Sequence, residues 1–274
     1  MAYQSLYRRY RPRRFSEVRG QEHVVGALRN AVNNHTEGHA YLFSGPRGTG
    51  KTSTARILAK ALNCEAGVSS TPCCQCPSCR EIDEGRFVDL LEVDAASRTR
   101  VDQTRELLDN VPFAPVKGRF KVYLIDEVHM FSTSSFNALL KIVEEPPEHL
   151  IFIFATTEPD KVIPTIRSRT HHYPFRLLTQ PDMRGLLQRT CEAEGVRVDD
   201  AVSPLILRAG GGSPRDSLSI LDQLLAGAGE EGLSYEMAVP LLGVTDFSLI
   251  DAAVAALSAR DYAGMFGAIN DVIN

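Results

Sequence analysis

"GPRGTGKT", Gly45 to Thr52, decides how the rest of this sequence is read. It satisfies the phosphate-loop pattern G-x-x-x-x-G-K-[ST] at every fixed position. Upstream, "HAYLFSG" (39–45) reads as a short buried strand running into a glycine-rich turn. Downstream, "KTSTARILAKAL" places Ala55, Leu58, Ala59 and Leu62 on one helical face. Strand, loop and helix in that order let backbone N–H groups curl around phosphate oxygens, with the helix amino terminus adding a favourable dipole. The candidate contacts are Gly45, Pro46, Arg47, Gly48, Thr49, Gly50, Lys51, Thr52 and Ser53. Lys51 is expected to reach the β- and γ-phosphates, and Thr52 to offer its hydroxyl to Mg²⁺. A glycine-rich turn without a ligand is the alternative, and the correct context on both sides disfavours it.

"VYLIDE", Val122 to Glu127, supplies a second half. A β-prone run delivers Asp126 at its carboxyl end, where a carboxylate belongs in an Mg²⁺ shell. Glu127, next in line, is a candidate general base for an attacking water. Taken alone, Asp-Glu after a strand is more often a turn or helix cap; beside a phosphate loop it reads as catalytic. Together the two motifs imply a nucleoside triphosphatase with Mg²⁺ at its site, without saying which kind.

Outward from these motifs, "FVDLLEVDA" (87–95), "FKVYLID" (120–126) and "LIFIFATT" (150–157) read as strands. Helices are expected over roughly 99–109 and 133–144, the second stopping at Glu145-Pro146-Pro147. The alternation predicts an α/β fold, a parallel sheet with helices on both faces. After about residue 179 the strand signal fades, and short helices are expected near 181–194, 199–209, 214–226 and 234–242. The last stretch shows one clear helix and part of another. Three regions follow: 1–179 as the α/β core, 180–243 as a small helical domain, and 244–274 as the truncated beginning of a third.

The 274 residues are 43% hydrophobic and 23% charged with a net charge of −4, which argues against coating nucleic acid by charge alone. The basic start "MAYQSLYRRYRPRRF" lacks the apolar stretch of a secretory signal. The longest apolar run, "LIFIFA", is far too short for a bilayer. The expectation is a cytoplasmic protein without membrane contact. Five of the six cysteines nevertheless crowd into "NCEAGVSSTPCCQCPSCREI" (63–82). Cys64, Cys73, Cys76 and Cys79 give C-x8-C-x2-C-x2-C, a spacing on which thiolates converge on one tetrahedral zinc ion. Overlapping C-x-x-C units also admit redox chemistry or an iron–sulfur cluster. Cys73 and Cys74 compete for one ligand position, and the two-residue gap to Cys76 favours Cys73; Cys191 reads as a small core residue.

"GGSPRDSL" and "ATTEPDKVIPTIRSR" resemble the AAA+ ATPases. The resemblance implies that the nucleotide is ATP, that Thr157, or its neighbour Thr156, senses the γ-phosphate, and that Arg215, with Pro214 before it, contacts the same nucleotide from a helical lid. It also implies that Arg169 of the Ser168-Arg169 pair reaches the ATP of a neighbouring subunit. "YRRYRPRRFSEVRGQEHV", "GRFVDLLEVDAASRTRVDQTRELLDNV" and "GRFKVYLIDEVHMFSTSSFNALLKIVEEPPEH" are similar, more narrowly, to the bacterial clamp loader ATPases. That family implies an adenine pocket at Arg11, Pro12, Val18 and Gln21, although the segment could equally be a domain-docking arm. It implies a structural zinc module at 64–79 and a carboxyl-terminal collar beginning at 244. It also implies other clamp loader subunits, a sliding clamp and primed DNA as partners, with Arg98, Arg100 and Arg105 as candidate phosphate contacts. A solvated helix face paired with Asp102 and Glu106 is the plain reading of those arginines. Thr170 follows Arg169 where the family often has cysteine, which leaves the arginine in place. Without most of the collar, the chain is expected to be monomeric or weakly associated.

Two other functions compete. A motor for DNA branch migration or recombination shares the AAA+ motifs, but the cysteine insert and "VDAASRT" speak against it. A non-hydrolysing nucleotide-binding scaffold is expected to lose Lys51, Glu127 or Arg169, and all three are present. No template-directed nucleotidyl-transfer site is expected.

Overall fold

The computed structural model of the chain describes residues 3–97, 110–228, 232–243 and 247–273. Arg98, Arg100 and Arg105, with the helix expected over 99–109, lie outside the described residues. Tyr7–Asp182 together with Ser213–Arg215 form one compact unit, and the other described residues cluster as a second.

The first unit is built on a five-stranded sheet: β1 (Ala40–Ser44), β2 (Leu90–Asp94), β3 (Lys121–Asp126), β4 (Leu150–Thr156) and β5 (His171–Pro174). The strands run parallel in the order β2-β3-β4-β1-β5. Successive side chains on a strand point to opposite faces, and here both faces are apolar. Tyr41, Phe43, Val122, Leu124, Ile151 and Ile153 pack with Leu28 of α1 (Glu22–Asn33) and Leu58 and Leu62 of α2 (Lys51–Asn63). Leu42, Tyr123, Ile125, Phe152 and Phe154 pack on the other face with Phe136 and Leu139 of α4 (Thr133–Glu144). The expected sheet covered on both faces is therefore present.

Local chemistry explains the element ends. Ser132 caps α4 by accepting the Ser135 N–H at 3.2 Å, and the helix stops at Glu144, before the Pro146-Pro147 pair. The cysteine segment contains a helix that the sequence reading missed, α3 (Pro77–Glu84). Pro77 takes its first position, where a missing N–H costs nothing, and Gly85 closes it at φ +73°. β2 is shorter than the expected 87–95 because Asp89 turns its carboxylate to the backbone N–H groups of Val116, Lys117 and Gly118, at 2.6–2.7 Å. The fifth strand, β5, was also missed: "HHYP" sits at the sheet edge, mostly exposed, and carries no apolar run.

In the second unit, helices α5 (Gln180–Glu194), α6 (Val202–Gly210), α7 (Pro214–Ala226) and α8 (Tyr235–Leu242) follow the expected succession. A single parallel bridge, Val198 to Leu233, is the one strand-like pairing among its described residues. A Cβ on Gly210 would lie 2.0 Å from Ser217 Oγ, so the approach of α6 and α7 there requires glycine. The final stretch holds two full helices, α9 (Phe247–Ser258) and α10 (Tyr262–Ile273), against the one and a part expected from the sequence. No described helix is long and apolar enough to cross a membrane.

Candidate functional site

The carboxyl ends of β1, β3 and β4 are adjacent in the sheet, and each delivers part of one site. β1 hands the chain to the phosphate loop, where Gly45, Gly48 and Gly50 have φ of +136°, +76° and +100°. Such values suit glycine and aim successive N–H groups into the loop. Lys51 begins α2 and is 6% exposed; its ammonium donates to the carbonyls of Gly45 (2.6 Å) and Pro46 (2.8 Å). Burial lowers its pKa, and the charges of Glu127 and Asp126 oppose that shift. Thr49 is buried with its hydroxyl on the Pro46 carbonyl at 2.8 Å, whereas Pro46 and Arg47 are exposed.

β3 brings Asp126 to this helix start: Thr52 Oγ1 donates to Asp126 Oδ2 at 3.0 Å. A hydroxyl beside a carboxylate is the oxygen pair that a hard divalent cation takes from protein, so these residues fit Mg²⁺. Glu127 follows with φ +49°, left-handed backbone that is uncommon outside glycine and asparagine. Its Oε2 accepts both the N–H (3.2 Å) and the hydroxyl (3.0 Å) of Thr157, just past β4. Thr156 is fully buried, with Oγ1 on His129 Nδ1 at 2.9 Å and on the Glu158 N–H at 3.0 Å. Of the two threonines, Thr157 is the one joined to Glu127. His129, unremarked in the sequence reading, also lies 3.3 Å from both Glu127 Oε2 and Glu158 Oε1. Its signal was its place, two residues past the candidate base.

Ser213-Pro214-Arg215 belongs to the same compact unit as the loop. A Cβ on Gly48 would meet Ser213 Oγ at 2.1 Å and Arg215 Cβ at 3.1 Å, so the loop lies directly against the start of α7. The Arg215 guanidinium stacks over Tyr7, 5.2 Å from the ring centroid. On the other side of α2, Arg11 Nε donates to Ser53 Oγ at 2.9 Å. Burial, helped by the nearby charge of Arg56, lowers the Arg11 pKa to about 10. Pro12 is half-buried beside it, and Val18 packs against the core. Gln21 is fully buried, and its amide is spent on the backbone of Arg176: Nε2 donates to the carbonyl (2.6 Å) and Oε1 accepts the N–H (3.0 Å). Gln21 thus holds the chain after β5. Arg169 has partners elsewhere, on the Thr165 carbonyl at 2.9 Å and Glu144 Oε1 at 2.8 Å.

The sulfurs of Cys64, Cys73, Cys76 and Cys79 all lie within 4.8 Å of one another, and none is in a disulfide. Tetrahedral zinc with Zn–S near 2.3 Å needs sulfurs about 3.8 Å apart, close to this arrangement. Backbone N–H groups already point at the sulfurs: Gln75 and Cys76 at Cys73, Cys73 at Cys64, and Cys79 at Cys76, at 3.3–3.4 Å. Those donors favour thiolate and lower the Cys73 pKa to about 6, while burial raises those of Cys64 and Cys79. The donor set therefore fits a thiophilic ion. Cys74 turns away at φ +57°, its sulfur 3.7 Å from the Arg13 carbonyl and outside the four-sulfur group.

Residues 20–179 match the protein family described as DNA polymerase III, delta subunit. Residues 182–230 match that described as DNA polymerase III clamp loader subunit, ATPase lid domain. The DNA polymerase III subunit gamma/tau of Mycobacterium tuberculosis is 62% identical over 98% of this chain. The chain belongs to the gamma/tau family of DNA polymerase III subunits. The DNA polymerase III subunit tau of Escherichia coli, another gamma/tau relative, is 51% identical over 95% of the chain. The chain spans 47% and 41% of these two proteins, about half the length of the gamma/tau relatives it matches. Among solved structures, the Thermotoga maritima RuvB Holliday junction branch migration motor superposes with a TM-score of 0.64. It covers 92% of this chain and 80% of that one at 18% identity, a likeness of AAA+ fold alone.

Proposed function

We propose that this chain is the ATP-hydrolysing motor portion of a clamp loader subunit, using ATP to load a ring-shaped sliding clamp onto primed DNA together with other clamp loader subunits. The observation that carries the reading is the convergence of Lys51, the Thr52–Asp126 pair and the Glu127–Thr157 pair at one end of the sheet, with Arg215 against the loop. In this reading Gly45–Ser53 bind the triphosphate, and Arg11, Pro12 and Val18 border the adenine. Gln21 supports that border through Arg176. Thr52 and Asp126 hold Mg²⁺, which supplies charge neutralisation along the phosphates. Glu127 orients and deprotonates the water, Thr157 holds Glu127 in place, and Pro214-Arg215 closes on the phosphates from the lid. Arg169 acts on the ATP of a neighbouring subunit.

The rest of the assignment follows from this. Residues 1–179 serve as catalytic core, 180–243 as lid and 244–274 as the start of a collar; Arg98, Arg100 and Arg105 contact DNA phosphates. Cys64, Cys73, Cys76 and Cys79 hold a structural zinc ion, and the protein works in the cytoplasm. Any polymerase activity belongs to the larger assembly. The test is ATP turnover of the full-length chain with and without partner subunits, clamp and primed DNA. Stimulation by all of them together is expected, and turnover indifferent to them counts against the reading.

A further inference from the structure

Lys60 lies on α2, two turns beyond the phosphate loop, and its side chain has no exposed surface. A buried ammonium has three N–H donors and must place them all. Here the acceptors come from three different segments. One is Asp83 Oδ1 of α3 at 2.7 Å, one is the Arg13 carbonyl at 2.5 Å, and one is the Cys74 sulfur at 3.8 Å. Cys74 adopts its uncommon left-handed backbone at this point, and its sulfur also meets the Arg13 carbonyl. Two residues before Arg13, Arg11 is bound to Ser53 of the same helix. Ser53 and Lys60 are seven residues apart, two turns on one helical face. The amino-terminal arm is therefore fastened to α2 at both points, and the second fastening is shared with the cysteine module.

We propose that Lys60 is a positioning residue through which the four-cysteine module fixes the Arg11–Gln21 arm against α2, so that integrity of the module sets nucleotide affinity without entering turnover. The inference rests on the arm's place in the nucleotide site proposed above. The partners of the Lys60 ammonium are Asp83, the Arg13 carbonyl and Cys74, outside both the phosphate loop and the four clustered sulfurs. Its replacement leaves the chemistry in place and loosens the arm.

The experiment measures binding of a fluorescent ATP analogue, zinc content and steady-state turnover in the full-length protein. Lys60→Met is expected to keep its metal, weaken nucleotide binding about tenfold or more, the effect of losing a charge-assisted hydrogen bond, and change kcat less than about twofold. Chelating the metal from the unaltered protein should weaken binding to a similar degree, and chelating it from Lys60→Met should add little more. If Lys60→Met fails to fold, Asp83→Ala, which removes an acceptor from Lys60, should keep the metal and weaken nucleotide binding several-fold, and unchanged binding in it overturns the inference. Unchanged nucleotide affinity after chelation, or additive losses in the variant, overturns the inference. Lys51→Ala separates the two claims. If it abolishes nucleotide binding while chelation and Lys60→Met do not affect it, the nucleotide site stands and the link to the cysteine module fails.

Discussion

At the scale of single residues, the site divides into groups legible from motifs and groups that only contacts reveal. Lys51 and Thr52 stand in the G-x-x-x-x-G-K-[ST] pattern and Asp126 and Glu127 end a β-prone run, so the sequence exposes all four as candidates. Gln21 shows the limit of that logic. The resemblance implies an adenine contact there, and its amide also bonds the backbone of Arg176 across 155 positions of sequence, a pairing no local pattern encodes. His129 and the choice between Thr156 and Thr157 were hidden for the same reason, since they depend on where β4 ends beside β3. Glu127→Gln is expected to retain ATP binding and lower kcat by about 10²–10⁴, the contribution of a positioned general base, in single-turnover hydrolysis. Thr157→Val removes the hydroxyl that Glu127 accepts while keeping shape. Turnover should fall with KM little changed, and a rise in KM alone would reassign Thr157 to substrate binding.

At the scale of elements, the strands with apolar residues toward the core, β1 to β4, were readable, and β5 was not. β1 and β4 are buried along their whole length and announce themselves; β5, exposed on the sheet edge, has nothing apolar to announce. α3 was invisible for a different reason: its amino-terminal cap is a cysteine sulfur, Cys76, accepting the Cys79 N–H, a role no capping preference anticipates. Helix and four-cysteine group are thus one structure. Cys76→Ala is expected to abolish metal retention, from about one zinc per chain to none by elemental analysis. Amide exchange over Pro77–Glu84 should accelerate in the same variant; protection equal to that of the unaltered protein would uncouple helix from ion. Asp89 makes a comparable junction without metal, one buried carboxylate taking three backbone donors. Asp89→Ala should cost about 2–4 kcal/mol in urea unfolding, because those donors lose a charged partner.

At the scale of the whole molecule, fold and function separate. The RuvB superposition shows a shared fold and is indifferent to the choice between branch migration and clamp loading. What favours the proposed clamp loader reading is identity of 62% and 51% with gamma/tau proteins over nearly the full chain. In the proposed function one candidate residue acts only above the single chain. Arg169 is about 40% exposed on its side chain and is held by Glu144 and the Thr165 carbonyl. The proposed function sends this guanidinium to a neighbour's phosphates, and an arginine supplied that way is worth about 10³–10⁵ in rate. Action on a neighbour has a signature that action at home lacks. Full-length Arg169→Ala should bind ATP normally and yield assemblies that hydrolyse it poorly. Full-length Lys51→Ala should be equally inactive, because it lacks its own nucleotide. Mixed assemblies then bring an intact Arg169 from one variant beside an intact phosphate loop from the other. Turnover should return to a fraction set by the mixing ratio, and mixtures as inactive as their components would place the action of Arg169 within its own subunit.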